Sequence, residues 1–144
     1  MKKEIYDKLD DNVNKNLFEV DFEFDDLSKN EKNILKETII KINENSFSFD
    51  LFLVDKLIQP LDILVKLYTN KITGDVRINM HDKDGVIFGT ILFKTLKIMK
   101  INNLIDFDYE SIGSYKETKK DINVEVIYDD ILYSNNNIDF DKLT

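Results

Sequence analysis

The sequence predicts a mainly β, α+β fold in which antiparallel strands accompany a single candidate helix. Apolar and acidic residues alternate strictly from Phe18 to Asp25, which is the period-two pattern of a half-buried strand. Two apolar segments in the middle of the chain are joined by the turn at 83–85, as in a β-hairpin. Residues 122–128 alternate again, and we expect them to form the final strand.

Length and composition indicate one globular domain covering residues 1–144. With 42% hydrophobic residues the chain can bury a core, and its polar ends, at about 1–16 and 134–144, are expected to be flexible or docked on a partner. The absence of cysteine excludes disulfides and thiolate metal sites. No apolar stretch has the length of a signal peptide core or a membrane span, so we expect neither.

The charge balance argues against a protein that reads DNA or RNA. Asp and Glu number 28 against 20 Lys and Arg, which gives a formal net charge of −8, and Arg77 is the only arginine. Readers of nucleic acid use basic patches and arginine forks. An acidic surface can instead serve DNA by repelling it.

The first predicted strand has one face made only of carboxylates. Neighbouring side chains on one face of a strand lie roughly 7 Å apart, inside the screening length of about 8 Å at physiological salt, so these carboxylates repel one another. The pattern recurs at residues 105–110. We consider two interpretations, a solvated face and a surface whose function requires negative potential. The candidate residues of this acidic face are Glu19, Asp21, Glu23, Asp106, Asp108 and Glu110.

The candidate helix lies at about 29–42. Ser28 followed by Glu31 has the spacing of a capping box, and apolar residues continue from Ile34 at helical spacing. The β-branched residues at 38–40 leave a second interpretation open, in which this segment forms one arm of a hairpin that turns at 43–45.

The middle of the chain contains further predicted elements. Residues 47–54 alternate and then become apolar on both faces, as expected for a strand covered twice. The apolar stretch 61–68 is compatible with either a strand or a short helix. A turn at 72–75 leads into the hairpin of 76–81 and 86–101, whose second arm is apolar on both sides, which indicates a bulge or an intermolecular contact.

Catalytic and cofactor motifs are not recognisable in the sequence. His81 is the only histidine, which excludes multi-histidine metal sites, and its place beside a turn predicts a solvent-exposed polar residue. If Gly85 is aligned with the invariant glycine of a calcium loop, Met80 and Ile91 fall at ligand positions that require oxygen atoms. No glycine is followed by the GKS or GKT of a phosphate-binding loop. We therefore expect no enzyme, no metal and no cofactor.

Three parts of the chain carry a family resemblance. They are NLFEVDFEF at 16–24, GDVRINMHDKDG at 74–85, and LIDFDYES at 104–111 followed by KKDINVEVIYDDILY at 119–133. An Asn-Leu-Phe entry into the first strand, an acidic strand near the end and a long alternating strand that closes in Tyr-Asp are similar to the pattern of the tail tube proteins of contractile-tailed phages.

This resemblance implies an antiparallel β-barrel or two-sheet sandwich with one flanking helix. It also implies hexameric rings, stacked into a tube around an acidic lumen that conducts DNA and to which the acidic-face residues contribute. Six copies would carry six times −8, or −48.

The implied partners are further copies of the chain, other tail proteins (sheath, baseplate or neck) and DNA in transit, with no membrane. The implied location is the virion, after assembly in the host cytoplasm. A tube-initiating, baseplate or neck component is an alternative within the resemblance. Outside it, the alternative is an acidic adaptor or inhibitor domain that binds a basic partner protein.

Overall fold

The computed structural model describes residues 18–52, 59–104, 119–135 and 139–143. Within these ranges there are two helices and eight strands. In chain order they are β1 (Phe18–Glu23), α1 (Lys29–Thr38), β2 (Ile39–Ile42), β3 (Ser46–Phe52), α2 (Gln59–Thr69), β4 (Gly74–His81), β5 (Ile87–Asn102), β6 (Lys119–Ile127), β7 (Asp130–Asn135) and β8 (Asp141–Lys142).

All strand pairs are antiparallel and belong to one eight-stranded sheet, which is not closed over the described residues. The strand order is β1-β4-β5-β6-β3-β2. β7 pairs with β5 on the side away from β4, and β8 pairs with β7. β5 is long enough to serve both halves of the sheet. Its residues 87–96 pair with β4 and its residues 97–102 pair with β6.

The sheet curls so that its two halves face each other across one core. The ring centroids of Phe22 on β1 and Phe49 on β3 are 6.0 Å apart, although these strands are far apart in the strand order. Phe47 and Phe93 make an edge-to-face contact at 5.4 Å in the same interior. Such aromatic pairs stabilise a core beyond the area that they bury.

β5 bends at Thr95, next to the point where it passes from pairing with β4 to pairing with β6. Thr95 has a φ of 56°, a left-handed conformation that is an outlier for a β-branched residue. Asp75 holds this bend, because its Oδ1 accepts the Thr95 N–H at 3.0 Å and its Oδ2 accepts from Lys94 Nζ at 3.0 Å. Burial opposes ionisation, but these bonds keep the pKa of the Asp75 carboxyl below its ordinary value.

Both helices pack against the concave side of the sheet. α1 contacts β1, β3 and α2, and its Leu35 is fully buried. α2 contacts β5 and β3 and buries Ile63, Leu64 and Leu67. Lys66 on α2 ties the helices together through an ion pair of 3.2 Å with Glu31 on α1.

Both interpretations of residues 29–45 are realised in part. The capping box is confirmed, with Ser28 N–H donating to Glu31 Oε1 at 2.9 Å and Glu31 N–H to Ser28 Oγ at 3.1 Å. The helix ends at Thr38, where the β-branched run begins, and 39–42 forms a hairpin with β3. The Asn43 side chain accepts the Ser46 N–H at 2.8 Å and closes the turn.

Other expectations are corrected. The stretch 61–68 is helical, so the sheet is flanked by two helices and not by one. Pro60 lies in the first helical turn, where its missing N–H costs no hydrogen bond. Residues 122–128 do not form the final strand, because β7 and β8 follow β6. The middle hairpin and its bulges are confirmed.

The resemblance implied a closed barrel or a two-sheet sandwich. Over the described residues the strands instead form one open, curled sheet. The acidic segment 105–110, the end at 1–16 and part of the end at 134–144 lie outside the described residues.

Candidate functional site

The outward face of β1 is the part of the predicted acidic face that the structure describes. Val20 and Phe22 point into the core, and the alternation of the strand places Glu19, Asp21 and Glu23 on the other side. β4 lies beside β1, with Asp21 opposite Arg77 and Glu19 opposite Asn79. The chemistry of this face therefore depends on α1 and β4 as well as on β1.

Lys36 of α1 reaches two of the carboxylates. Its Nζ is 2.7 Å from Glu19 Oε1 and 3.5 Å from Asp21 Oδ1. The hydrogen bond from Lys36 is the largest influence on Glu19 and holds the pKa of that carboxyl below its ordinary value, although partial burial opposes the shift. The Lys36 pKa is raised by the same bond. Because all three side chains are 36–39% exposed, solvent screens these pairs strongly.

Arg77 of β4 compensates the third carboxylate. Its Nε donates to Glu23 Oε1 at 3.3 Å. Because Arg77 is opposite Asp21 in the backbone register, this ion pair is diagonal across the two strands. The Arg77 guanidinium carbon also lies 5.7 Å from the centre of the Phe140 ring, within the range of a cation–π contact. Phe140 comes from the C-terminal segment, which pairs with β7 through β8. Arg77 thus links the end of the chain to β1.

Two buried polar side chains extend this network across the sheet. Thr90 Oγ1 of β5 donates to Asn79 Oδ1 of β4 at 3.0 Å, and Asn79 Nδ2 donates to Asp21 Oδ2 at 3.3 Å. Asn79 and Thr90 are at most 9% exposed. Because buried polar groups cost free energy unless they are hydrogen-bonded, these bonds fix the position of Asp21.

His81 is not the solvent-exposed turn residue that the sequence predicted. Its side chain is only 13% exposed and lies between β1 and the hairpin turn. Nδ1 is 3.2 Å from the Gly85 carbonyl oxygen, and Nε2 is 3.2 Å from Glu19 Oε2. Nε2 has no hydrogen-bond partner among the described residues, and its approach to Glu19 is an ion pair only if the ring is protonated.

The three carboxylates of β1 are therefore charge-paired rather than bare. Three negative charges meet the two permanent positive charges of Lys36 and Arg77, which leaves about one net negative charge with His81 neutral. Asp106, Asp108 and Glu110, the other predicted members, lie outside the described residues, so the structure does not bring the two groups together. The sequence reasoning missed Lys36 and Arg77 as partners, and only the alternation of 76–80, which aims Arg77 outward, indicated either of them.

A second outward polar face, missed by the sequence reasoning, lies on β3 and β6. Asn123 Nδ2 donates to Ser48 Oγ at 2.9 Å across these strands. Asp50 is directly opposite Asp121 in the register, and Asp50 Oδ1 is buried without a hydrogen-bond partner among the described residues. Like charges directly opposite on neighbouring strands destabilise a sheet, and Asp50 and Asp121 have this arrangement.

Metal and membrane sites have no support in the described ranges. No group of three or more His, Cys, Asp or Glu side chains there is arranged to hold a metal ion. Neither α1 nor α2 is long and apolar enough to cross a membrane.

Comparison with known proteins supports the fold. No family model and no curated protein matches the chain. A mutant form of the Hcp1 protein from the E. coli EAEC 042 pathovar is similar in structure, with a TM-score of 0.51 and 10% identity over 87% of this chain and 94% of that one. At this identity the likeness shows the fold alone: the chain has the fold of the Hcp1 protein.

Two further solved structures are similar with TM-scores just below 0.5. An Hcp protein matches with a TM-score of 0.49 and 15% identity over 87% of this chain and 97% of that one. A chain of the six-fold symmetrised baseplate of the anti-feeding prophage matches with 0.49 and 12% identity over 82% and 92%.

Proposed function

We propose that this chain is a structural subunit of the tail-tube type, which self-assembles into hexameric rings within a contractile tail or injection machine. The fold likeness to the Hcp1 protein over 87% of the chain supports this role, as does the sequence resemblance to phage tail tube proteins. No catalytic machinery is part of the proposal, because the described carboxylates of β1 are paired with Lys36, Arg77 and Asn79.

The observation that carries the proposal is the open, curled sheet with an exposed strand at its end. β2 pairs only with β3 within the described residues, and Ile40 on it is 49% exposed. An exposed edge strand is a template for pairing with another chain. A contact between two different surfaces of identical copies closes into a ring when the rotation between them allows it.

The acidic, DNA-conducting lumen remains part of the proposal. Six copies at −8 each supply a strongly negative field, and a channel for DNA requires repulsion because tight phosphate contacts would slow transit. The acidic-face residues would supply part of this charge. The pairing with Lys36 and Arg77 reduces the share of Glu19, Asp21 and Glu23, so the greater share would come from the rest of the chain.

The proposal is tested by the assembly state of the purified full chain. Native mass spectrometry should give a particle of six times 17.0 kDa, or 102 kDa, or a multiple of it, and negative-stain images should show six-fold rings. Ile40→Lys should prevent ring formation, because it places a charge at the proposed edge contact. Ile127→Lys, at a residue of similar exposure on β6, is the matched control and should leave rings intact. A strictly monomeric chain at high concentration would contradict the proposal.

The same images separate the tube subunit from the alternatives. A tube subunit extends into stacks of rings, whereas a tube-initiating, baseplate or neck component stops at a ring of fixed thickness. Binding to a basic protein by a monomer, with strong salt dependence, would instead support the adaptor interpretation.

A further inference from the structure

Two exposed apolar surfaces lie at opposite ends of the β4–β5 half of the sheet. We call the first the hairpin tip; its members are Val86, Ile87 and Phe88, which are 60%, 47% and 49% exposed. We call the second the helix patch; its members are Val65 and Tyr68 on α2, which are 38% and 44% exposed. Exposed apolar side chains in contiguous groups mark interaction surfaces more often than isolated ones do.

The hairpin tip is held in place by its turn. Asp82 Oδ1 accepts the backbone N–H groups of Asp84 at 2.9 Å and Val86 at 3.0 Å, and Gly85 takes a φ of 82° that favours glycine. Successive strand residues point to opposite faces, so Ile87 is exposed on one side and Phe88 on the other. The tip is thus an apolar projection that requires cover on both faces, and the chain itself supplies none within the described residues.

The helix patch lies at the far end of the same strands. Val65 and Tyr68 are three residues apart, which places them on one side of α2, directly beside the face that buries Leu64 and Leu67. Leu64 and Leu67 pack near Leu96, and Leu96 is the register partner of Gly74 at the start of β4. The eight residues of β4 span about 26 Å between this end and the hairpin tip.

The charge beside the hairpin tip is complementary to the charge at the Lys71 end of the helix patch. The turn residues Asp82, Lys83 and Asp84 give the hairpin tip a net charge of −1. Lys71, exposed just beyond the end of α2, lies near Tyr68, and the acidic Asp62 lies one helical turn before Val65 at the other end of the patch. A tip that approaches from the Lys71 side meets an attractive charge.

We infer that the hairpin tip of one copy packs on the helix patch of the next copy, in a head-to-tail contact between stacked copies. The inference rests on the proposed function, because it names the surfaces through which rings would stack. The two surfaces differ and lie at opposite ends of the chain's fold, so the contact leaves one free tip and one free patch and can repeat without closing. Its occupant is a second copy of this chain.

Site-directed cross-linking tests the contact directly, because the natural chain has no cysteine. The single variants Phe88→Cys and Tyr68→Cys are mixed at assembly concentration and oxidised. We expect a disulfide-linked dimer that contains one of each variant and little of either homodimer. Phe88→Cys mixed with Ile127→Cys is the control, and equal cross-linking in that mixture would overturn the inference.

A matched pair of variants tests whether the contact drives stacking. Ile87 and Ile127 are both strand isoleucines with 47% exposure, so Ile87→Ser and Ile127→Ser remove the same chemistry at the same exposure. Ile87→Ser should raise the concentration needed for stacking about tenfold and leave single rings intact. Ile127→Ser should change neither.

The outcomes separate this inference from the proposed function. An unchanged concentration for stacking with Ile87→Ser, while rings form normally, would overturn the head-to-tail contact alone. A specific cross-link between copies that form open chains without rings would support the contact and contradict the ring-forming function.

Discussion

Replacing Leu35 with alanine tests whether α1 is an integral part of the hydrophobic core or only a peripheral element beside the sheet. Leu35 is 0% exposed and lines the interior together with Phe22 of β1, Phe49 of β3 and Leu64 of α2. Alanine keeps the helix propensity of the segment, so the substitution reports on packing alone. We expect both the lost transfer free energy and a residual cavity to destabilise the protein.

The expected loss is about 3 kcal/mol, within the range of about 2–5 kcal/mol for buried leucine truncations. The site has little freedom to collapse, because rigid aromatic rings from two halves of the sheet surround it. For a chain of this size the loss corresponds to a fall in Tm of about 10 °C. It also corresponds to a urea midpoint lower by about 1.5 M at a slope of about 2 kcal/mol per M.

Urea unfolding followed by far-ultraviolet circular dichroism measures this loss, with Glu37→Ala as the control. Glu37 is exposed on the same helix, and its truncation should change the free energy of unfolding by less than about 0.5 kcal/mol. A loss below about 1 kcal/mol for Leu35→Ala would refute the role of α1 in the core. A changed slope would mean that the substitution altered the unfolded state or the cooperativity instead.

Three further predictions concern the ion pairs, the bend and the helix cap. Lys36→Met should raise the pKa of Glu19 toward its ordinary value of 4.5, as followed by NMR titration of the carboxyl carbons. It should change the free energy of unfolding by less than about 1 kcal/mol, because both groups are more than one third exposed. An unchanged Glu19 pKa would contradict the ion pair. The pKa of Asp75 is lowered from 3.8, so its stabilising contribution is present above that value and is lost as the pH falls through the folded-state pKa. Asp75→Asn should therefore lower stability at pH 7 and flatten the acid limb of the stability curve in urea titrations at several pH values, and an acid limb as steep as that of the natural chain would argue against the bond to Thr95. Ser28→Ala should cost about 1 kcal/mol through loss of the cap, measured by the same unfolding assay, and no loss would mean that the cap is dispensable.

The elements that the sequence predicted best are those with a strong local signal. The alternation of Phe18–Asp25 identified β1 and its two faces, and Ser28 with Glu31 identified the start of α1. The turn at 83–85 identified the middle hairpin, whose turn the structure closes through Asp82 and Gly85. Each of these signals depends on residues within a few positions of one another.

The helix α2 shows where local signals were insufficient. An apolar run such as 61–68 satisfies a buried strand and a buried helix equally well. Its helical state is decided by packing, since Ile63, Leu64 and Leu67 fill the concave side of the sheet against β5 and β3. The helix-to-strand change at Thr38 is similar, because it requires β3 as a pairing partner.

By itself, the sequence determined which side chains of β1 are apolar and which are acidic, because side-chain direction in a strand alternates with a period set by covalent geometry. Only the tertiary structure decided that the acidic side is charge-paired. Lys36 is 17 positions from Glu19, and Arg77 is 54 positions from Glu23. Their approach depends on the packing of α1 and on the register of β4, and register between distant segments is a property of the whole folded chain.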